Sequence, residues 1–413
     1  MPADLAVVGL GHDGLPLAQA AVAAGLATVG YDPDPRRLAE PAAGRTPADV
    51  RRMVKAGFRT VTDPAELGRV RTVALCVPTP LGPGGNPDLS TLADTARTLA
   101  ARLRPHTTVL LESTVGPGTT ETFLRPLLEA GSGLRAGRDF HLAYSPGRVD
   151  PGSRTHDYAT TPKVIGGLTP ACTEAAAAFY GRLTEKVVRA RGPREAETVK
   201  LLETTFRLVN TALVNEMAVL CHDLGVDLWD AIRCAETKPY GFLAFRPGPG
   251  FGGHGAPPAP GRPQPPAGAP GPGLRLTGLA REINDRMPGY VTRRCAALLN
   301  EHGKSARGAR VLLLGVTYKP DIADVQGSPA AEIAQTLTEL GATVGYHDPY
   351  VPVWNVQGTP VPRADALYEA VGEADLTVLL QHHHTYDLQG LAAKAQLLLD
   401  TRGATPTGAA HRL

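Results

Sequence analysis

At 413 residues the chain is too long for one ordinary domain and has material for two or three. Its 42 basic and 40 acidic residues nearly cancel, which excludes an electrostatic footprint for nucleic acid or an anionic membrane surface. No apolar run approaches the ~20 residues of a membrane span and no secretory leader pattern opens the chain, so a soluble, cytoplasmic protein is expected.

The first element is a buried-strand run, Leu5-Ala-Val-Val8, that ends in Gly9-Leu-Gly11-His-Asp-Gly14 and passes into an Ala-rich helical pattern from Leu15 to Ala24. In a strand-turn-helix unit of this kind the first glycine permits the tight turn and the second lets the backbone approach a pyrophosphate. The third lets helix and strand pack closely. Ala27 to Asp32 reads as the next strand, and its terminal carboxylate stands 23 residues after Gly9 (32 minus 9), placed for the ribose hydroxyls of NAD. Asp32 would repel the 2′-phosphate of NADP, although Arg36 and Arg37 stand near it. NAD is the expected cofactor, with Leu15 and Arg37 among its contacts. Further strands are expected at Thr72 to Val77 and Thr107 to Leu111, followed by Pro78-Thr79-Pro80 and by Glu112-Ser113-Thr114-Val-Gly-Pro-Gly-Thr.

From Glu195 to about Leu224 apolar residues recur at three and four, the mark of one long helix with Lys200, Thr204 and Asn210 along it. A Gly- and aromatic-rich stretch, Lys238 to Gly255, comes next. Residues 256–273 hold eight prolines and four glycines, a composition that cannot form a helix. Arg310-Val-Leu-Leu-Leu-Gly315 opens a second sheet, continued by a helix from Pro329 to Leu340 and strands at Thr343 to Tyr346, Leu376 to Leu380 and Leu397 to Leu399. The expected fold is therefore α/β: two Rossmann-like doubly wound sheets joined by a long central helix and a helical middle domain. The divisions are 1–190, 195–300 (containing the 256–273 loop) and 305–413. His382, His383 and His384 are adjacent, so their side chains diverge and no metal site is expected there. The five cysteines, Cys76, Cys172, Cys221, Cys234 and Cys295, are odd in number without Cys-x-x-Cys spacing, and read as core residues.

Several of these stretches resemble the nucleotide-sugar dehydrogenases, the family of UDP-glucose and GDP-mannose dehydrogenases, most closely its UDP-N-acetylhexosamine 6-dehydrogenase branch. The matching segments are Val77-Pro-Thr-Pro80, Asn86-Pro-Asp-Leu, Glu112 to Thr119, Tyr144-Ser-Pro-Gly, Val199-Lys-Leu-Leu-Glu203, the stretch ending Gly252-Gly253-His254, and Val316-Thr-Tyr-Lys-Pro. The resemblance implies that Val77, Pro78, Thr79, Glu112, Ser113 and Thr114 line the nicotinamide side of the cofactor site, with Thr114, Lys200 and Thr204 in catalytic positions. It further implies a nucleotide-sugar substrate, UDP- or GDP-linked, held by Lys200, Phe245, Arg246, Gly250, Phe251, Gly252, Gly253, Tyr318 and Lys319, and a homodimer built on the long helix.

The chain also departs from the family pattern. Gly255 stands where the family has its nucleophilic Cys, Gly147 where it has Glu, Thr204 where it has Asn, Ala259 where it has Asp, and Gln326 and Gly327 where it has Arg and Glu. A glycine cannot form a thiohemiacetal, so oxidation is expected to stop at the carbonyl. Three readings follow: an NAD-dependent oxidoreductase interconverting an alcohol and a carbonyl on a nucleotide sugar, an epimerase that oxidises transiently, and a non-catalytic protein that retains the binding sites.

Overall fold

The computed structural model describes residues 3–34, 47–80, 87–150, 155–253 and 274–413. By packing, the chain divides into two compact units, one running through Thr204 and one taking up the chain at Thr205. Where the sequence suggests three divisions, packing thus makes two, and the boundary falls inside a helix.

The first unit is built on an eight-stranded sheet. Its strands are β1 (Ala3–Val8), β2 (Thr28–Tyr31), β3 (Arg59–Val61), β4 (Val70–Leu75), β5 (Thr108–Leu111), β6 (His141–Tyr144), β7 (Lys163–Gly167) and β8 (Val187–Arg189). They lie in the order β3-β2-β1-β4-β5-β6-β7-β8 and are parallel except at β6 with β7. The strands are apolar on both faces because both are covered. On one face Ala6, Val8, Val73, Leu75, Val109 and Leu111 pack with Leu92, Ala96 and Leu99 of a helix at Ser90–Ala100. On the other, Leu5, Val7, Ala74 and Leu110 pack with Leu17, Ala18 and Ala21 of α1 (Gly14–Ala23) and with Ala176 and Tyr180 of a helix at Pro170–Tyr180. Strand order reverses between β1 and β4, the crevice where doubly wound sheets bind ligands. The expected strands at Thr72 to Val77 and Ala27 to Asp32 end two residues and one residue early, so that Cys76, Val77 and Asp32 stand at that rim.

The long helix spans Pro193–Asp223, close to the expected 195–224. In the second unit a five-stranded parallel sheet comprises β9 (Arg310–Leu314), β10 (Thr343–His347), β13 (Leu376–Leu379), β14 (Leu398–Asp400) and β15 (His411–Arg412), in the order β10-β9-β13-β14-β15. A separate two-stranded ribbon pairs β11 (Asn355–Val356) with β12 (Thr359–Pro360). Val291, Cys295 and Leu298, on a helix at Met287–Glu301, share one core with Val311, Leu313, Val344 and Val378 of the sheet. That shared core is why residues expected in a middle domain pack with the second sheet. No helix among the described residues is long and apolar enough to cross a membrane.

Candidate functional site

Gly9 ends β1 with φ +88°, a conformation that only glycine adopts without strain, and a Cβ there would stand 2.7 Å from the Cys76 carbonyl oxygen. A Cβ on Gly14 would run into the Gly9 carbonyl oxygen, so this glycine lets α1 start tight against the strand. Gly11 is different. Among the described residues nothing lies within 4 Å of where its Cβ would be, which leaves its backbone open to a ligand at the start of α1. Asp32 follows β2 at the same rim, buried, with Oδ1 accepting from the Asp34 N–H at 2.9 Å. This arrangement fits a dinucleotide. The Leu15 side chain is in the core beneath α1, and its N–H donates to the Gly11 carbonyl. Arg36 and Arg37 lie outside the described residues.

The structure joins the loops after β4 and β5. Ser113 Oγ donates to the Val77 carbonyl at 2.7 Å, and Thr79 Oγ1 donates to the Thr114 carbonyl at 2.6 Å. Val77 to Thr79 and Glu112 to Thr114 therefore form one wall. Its far end is fixed by Glu197 of the long helix, fully buried, whose carboxylate accepts from the Gly118 and Thr120 N–H groups and from the Thr120 hydroxyl. Burial pushes the Glu197 carboxyl above its ordinary range, opposed by those three donors.

Glu112 has its own partners within the unit. Its carboxylate accepts from Lys163 Nζ at 2.6 Å and from the Tyr180 hydroxyl at 2.6 Å, with both charged side chains almost wholly buried. The side chain is turned into the unit. Lys163 also donates to the Pro146 carbonyl at 3.2 Å, and its ammonium lies 5.2 Å and 5.0 Å from the ring centres of Tyr158 and Tyr180.

Lys200, half-buried, donates from Nζ to the Gly147 carbonyl at 2.5 Å. Thr204 is engaged on its own helix. Its hydroxyl donates to the Lys200 carbonyl at 2.8 Å, which turns the polar atom back onto its own helix instead of out to a reacting oxygen. Beside them Arg148 holds Glu203, with Nε donating at 2.9 Å, and also reaches the Pro162 carbonyl. Neither this pair nor Asp13, discussed below, is signalled in the sequence, because their partners come from distant segments.

In the second unit the stretch Phe245 to Gly253 is laid against its neighbours residue by residue. Phe245 packs edge-on to Phe206 with ring centres 5.7 Å apart, Arg246 faces Glu236 at 3.6 Å on the surface, and Phe251 lies under the Arg207 guanidinium at 5.1 Å. A Cβ on Gly252 would stand 2.7 Å from the Gly327 carbonyl oxygen, and one on Gly253 2.6 Å from the Tyr318 ring. Gly250 sits against Pro329 and the Asn284 carbonyl. Thus Gly252, Gly253, Tyr318 and Gly327 are brought together, while Phe245 and Arg246 have other partners. Lys319 is fixed through its carbonyl, which accepts from the Thr317 hydroxyl at 2.7 Å. His254, Gly255 and Ala259 lie outside the described residues.

At the ends of β9, β10 and β13, His383 is fully buried, its Nε2 2.9 Å from the Asp348 carboxylate and its Nδ1 accepting from the Asp321 N–H at 2.9 Å. The rings of His382 and His384 stack 5.8 Å apart, and His384 bonds the Asp321 carboxylate. Burial raises the Asp321 carboxyl, but hydrogen bonds from the His384 N–H and ring leave it below its ordinary range.

Comparison with known proteins matches three family models along the chain. They are the NAD binding, central and UDP binding domains of the UDP-glucose/GDP-mannose dehydrogenase family, at residues 3–184, 194–286 and 312–407. The chain is 33% identical to the UDP-N-acetyl-D-mannosamine dehydrogenase of Pyrococcus horikoshii over 96% of its own length and 95% of that protein's. It is 34% identical to the UDP-N-acetyl-D-glucosamine 6-dehydrogenase of Pseudomonas aeruginosa, covering 84% of this chain and 83% of the relative. Its fold is similar to the solved structure of the P. horikoshii UDP-N-acetylmannosamine dehydrogenase, with a TM-score of 0.83 at 29% identity over 98% and 97% of the two chains. With the glycine turn, the acid after β2 and the second sheet in place, the chain belongs to the UDP-glucose/GDP-mannose dehydrogenase family, with NAD as its cofactor and a nucleotide sugar as its substrate.

Proposed function

We propose that the protein oxidises an alcohol of a nucleotide-linked sugar to a carbonyl, reversibly, and does not carry the product on to the acid. The names of the relatives make a UDP-linked N-acetylhexosamine the first substrate to try. The observation that supports the early stop is the placing of the thiols. None of the five cysteines lies in the stretch 238–255, and position 255 is glycine. Cys76, Cys172, Cys221 and Cys295 are buried. Burial, with the Glu112 charge, pushes the Cys76 thiol well above its ordinary value, and burial pushes that of Cys295 to about 12. A thiolate nucleophile needs the opposite, a lowered pKa and access. Cys234 is exposed, on a helix at Leu228–Ala235.

When bound at the glycine turn, NAD would supply the hydride acceptor for the carbon that carries the hydroxyl. Lys200 supplies the group for the hydroxyl proton: as an amine it accepts it, and as an ammonium it stabilises the alkoxide or carbonyl oxygen. Its bond to the Gly147 carbonyl holds the nitrogen at the rim of the sheet. Gly9, Gly11 and Gly14 hold the pyrophosphate, and Asp32 takes the ribose hydroxyls. The test is the absorbance spectrum of the protein as isolated, followed by product analysis on a panel of nucleotide sugars. One NADH per carbonyl formed supports the reading. An epimer without net NADH would replace it with the epimerase, and no turnover on any nucleotide sugar would leave a binding protein.

Asp32 gives a direct prediction. Titration calorimetry should show NAD binding more tightly than NADP, and Asp32→Ala should narrow the difference by about tenfold or more, because a carboxylate beside a phosphate costs several kcal/mol. Tighter binding of NADP by the wild type would refute the role of Asp32.

A homodimer is proposed on the long helix. Leu202, Phe206, Leu213, Met217 and Leu220 recur at intervals of three, four and seven along it and are exposed, Leu202 to 67% and Leu213 to 56%. A stripe of this size on one helix needs a cover. A second copy of the chain provides it symmetrically. Light scattering at micromolar concentration should give a dimer mass, and Leu213→Glu with Met217→Glu should give the monomer. A wild type that is monomeric throughout would overturn the proposal.

A further inference from the structure

Asp13 is the N-cap residue of α1, where an aspartate ordinarily accepts from the amides of the first turn, yet its side chain makes no capping hydrogen bond. The carboxylate is instead directed at Gly147, in the loop after β6. A Cβ placed on Gly147 would stand 2.6 Å from Asp13 Cγ and 3.0 Å from Oδ2. Gly147 has no positive φ, so its backbone does not require glycine. The space excludes a side chain, and the Asp13 carboxylate is what fills that space. The carbonyl of this same Gly147 accepts from Lys200 Nζ. One residue therefore carries a carboxylate from the cofactor turn on one side and the ammonium of the long helix on the other.

We propose that Asp13 is a positioning residue of the oxidation site: its carboxylate, delivered by the glycine turn into the space beside Gly147, fixes that loop, holds the Lys200 nitrogen in place and strengthens its hold on the proton it takes from the hydroxyl. The proposal rests on the reading of Lys200 given above. Negative charge near an ammonium stabilises it. Among the described residues, the other titratable groups around this corner include His12 in the turn, Cys76 after β4, Tyr144 in β6, Tyr158, the cations Lys163 and Arg148, and the carboxylates Glu112, Glu197 and Glu203. Those three carboxylates are already engaged, Glu112 by Lys163 and Tyr180, Glu197 by Gly118 and Thr120, and Glu203 by Arg148. Burial and then the charge of Glu197, followed by that of Asp13, push the Tyr144 phenol well above its ordinary value, so this phenol does not compete for the charge.

Two measurements on the full chain test this without relying on turnover. In the first, an amine-reactive reagent labels Lys200 across a pH series, read by mass spectrometry, in the wild type and in Asp13→Asn, which keeps shape and removes charge. The half-labelling pH of Lys200 should fall by on the order of one unit in Asp13→Asn. The second is a thermal cycle. Gly147→Ala should lower the melting midpoint, because the new methyl meets the Asp13 carboxylate, and Asp13→Gly combined with Gly147→Ala should recover most of that loss. An unchanged Lys200 profile in Asp13→Asn, or strictly additive midpoints in the cycle, would overturn the proposal. Wild type inactive on every nucleotide sugar, with the labelling shift present, would sink the oxidoreductase reading and leave this arrangement standing.

Discussion

Incubated with NAD and UDP-N-acetylglucosamine, UDP-N-acetylmannosamine, UDP-glucose or GDP-mannose, the protein will form no uronic acid, and Gly255→Cys will not restore it. Acid formation needs a thiol to trap the aldehyde, an oxyanion donor for the tetrahedral intermediates and a group that activates water. The replacement returns the first alone. The Thr204 hydroxyl donates to the Lys200 carbonyl within its helix, so it is not aimed at an oxyanion, and an oxyanion donor is worth roughly 10²–10³-fold. Gly147 has no side chain with which to activate water, and a positioned base is worth roughly 10²–10⁴-fold. On the proposed reading, alcohol oxidation is a different matter, since it asks only for cofactor and Lys200. Lys200→Ala should lower it by roughly 10²–10⁴-fold while NAD affinity, measured by calorimetry, stays within a few-fold of the wild type. Two equivalents of NADH per sugar from the wild type would refute the early stop.

The cofactor half of this site is legible in the sequence because its constraints are local. Gly9 and Gly14 are required by one turn, Gly11 leaves the backbone open between them, and the acid after β2 lies one βαβ step further on. What the sequence conceals is where side chains go when their partners are far along the chain. Glu112 stands at a strand end and reads as a cofactor ligand, but Lys163, on a strand reached only after β6 turns back antiparallel, takes its charge. Asp13 reads as one more residue of a glycine turn until Gly147 is brought beside it. Thr204 was readable in principle: a threonine hydroxyl in mid-helix commonly bonds the carbonyl four residues back, here that of Lys200. The core divisions follow from packing rather than composition. The helix at Met287–Glu301 is apolar on the side that meets β9, and nothing in its own residues says which sheet it covers.

Lys163→Met should cost about 3–5 kcal/mol of stability, the usual penalty for leaving a buried charge without its partner. Glu112 is fully buried beneath the cofactor wall and would be left with neutral phenol donors, the Tyr180 hydroxyl first, in place of an ammonium at 2.6 Å. For a unit of this size that corresponds to a melting midpoint lowered by on the order of 10 °C. Replacing both partners, Lys163→Met with Glu112→Leu, should recover much of the loss, because a paired buried ion is roughly neutral against well-packed apolar side chains while a widowed one is not. Tyr180 then lacks its acceptor, which sets the remaining deficit at about 1–3 kcal/mol. Function separates the two variants again. Lys163 also bonds the Pro146 carbonyl, next to Gly147, so even the stable double replacement should loosen the loop that carries Lys200. Calorimetric unfolding should rank the wild type first, the double variant second and Lys163→Met last, with both variants slower than the wild type in alcohol oxidation. A Lys163→Met protein as stable as the wild type would show that the Glu112 charge is not confined to this pair, and the account of the buried cluster would fall.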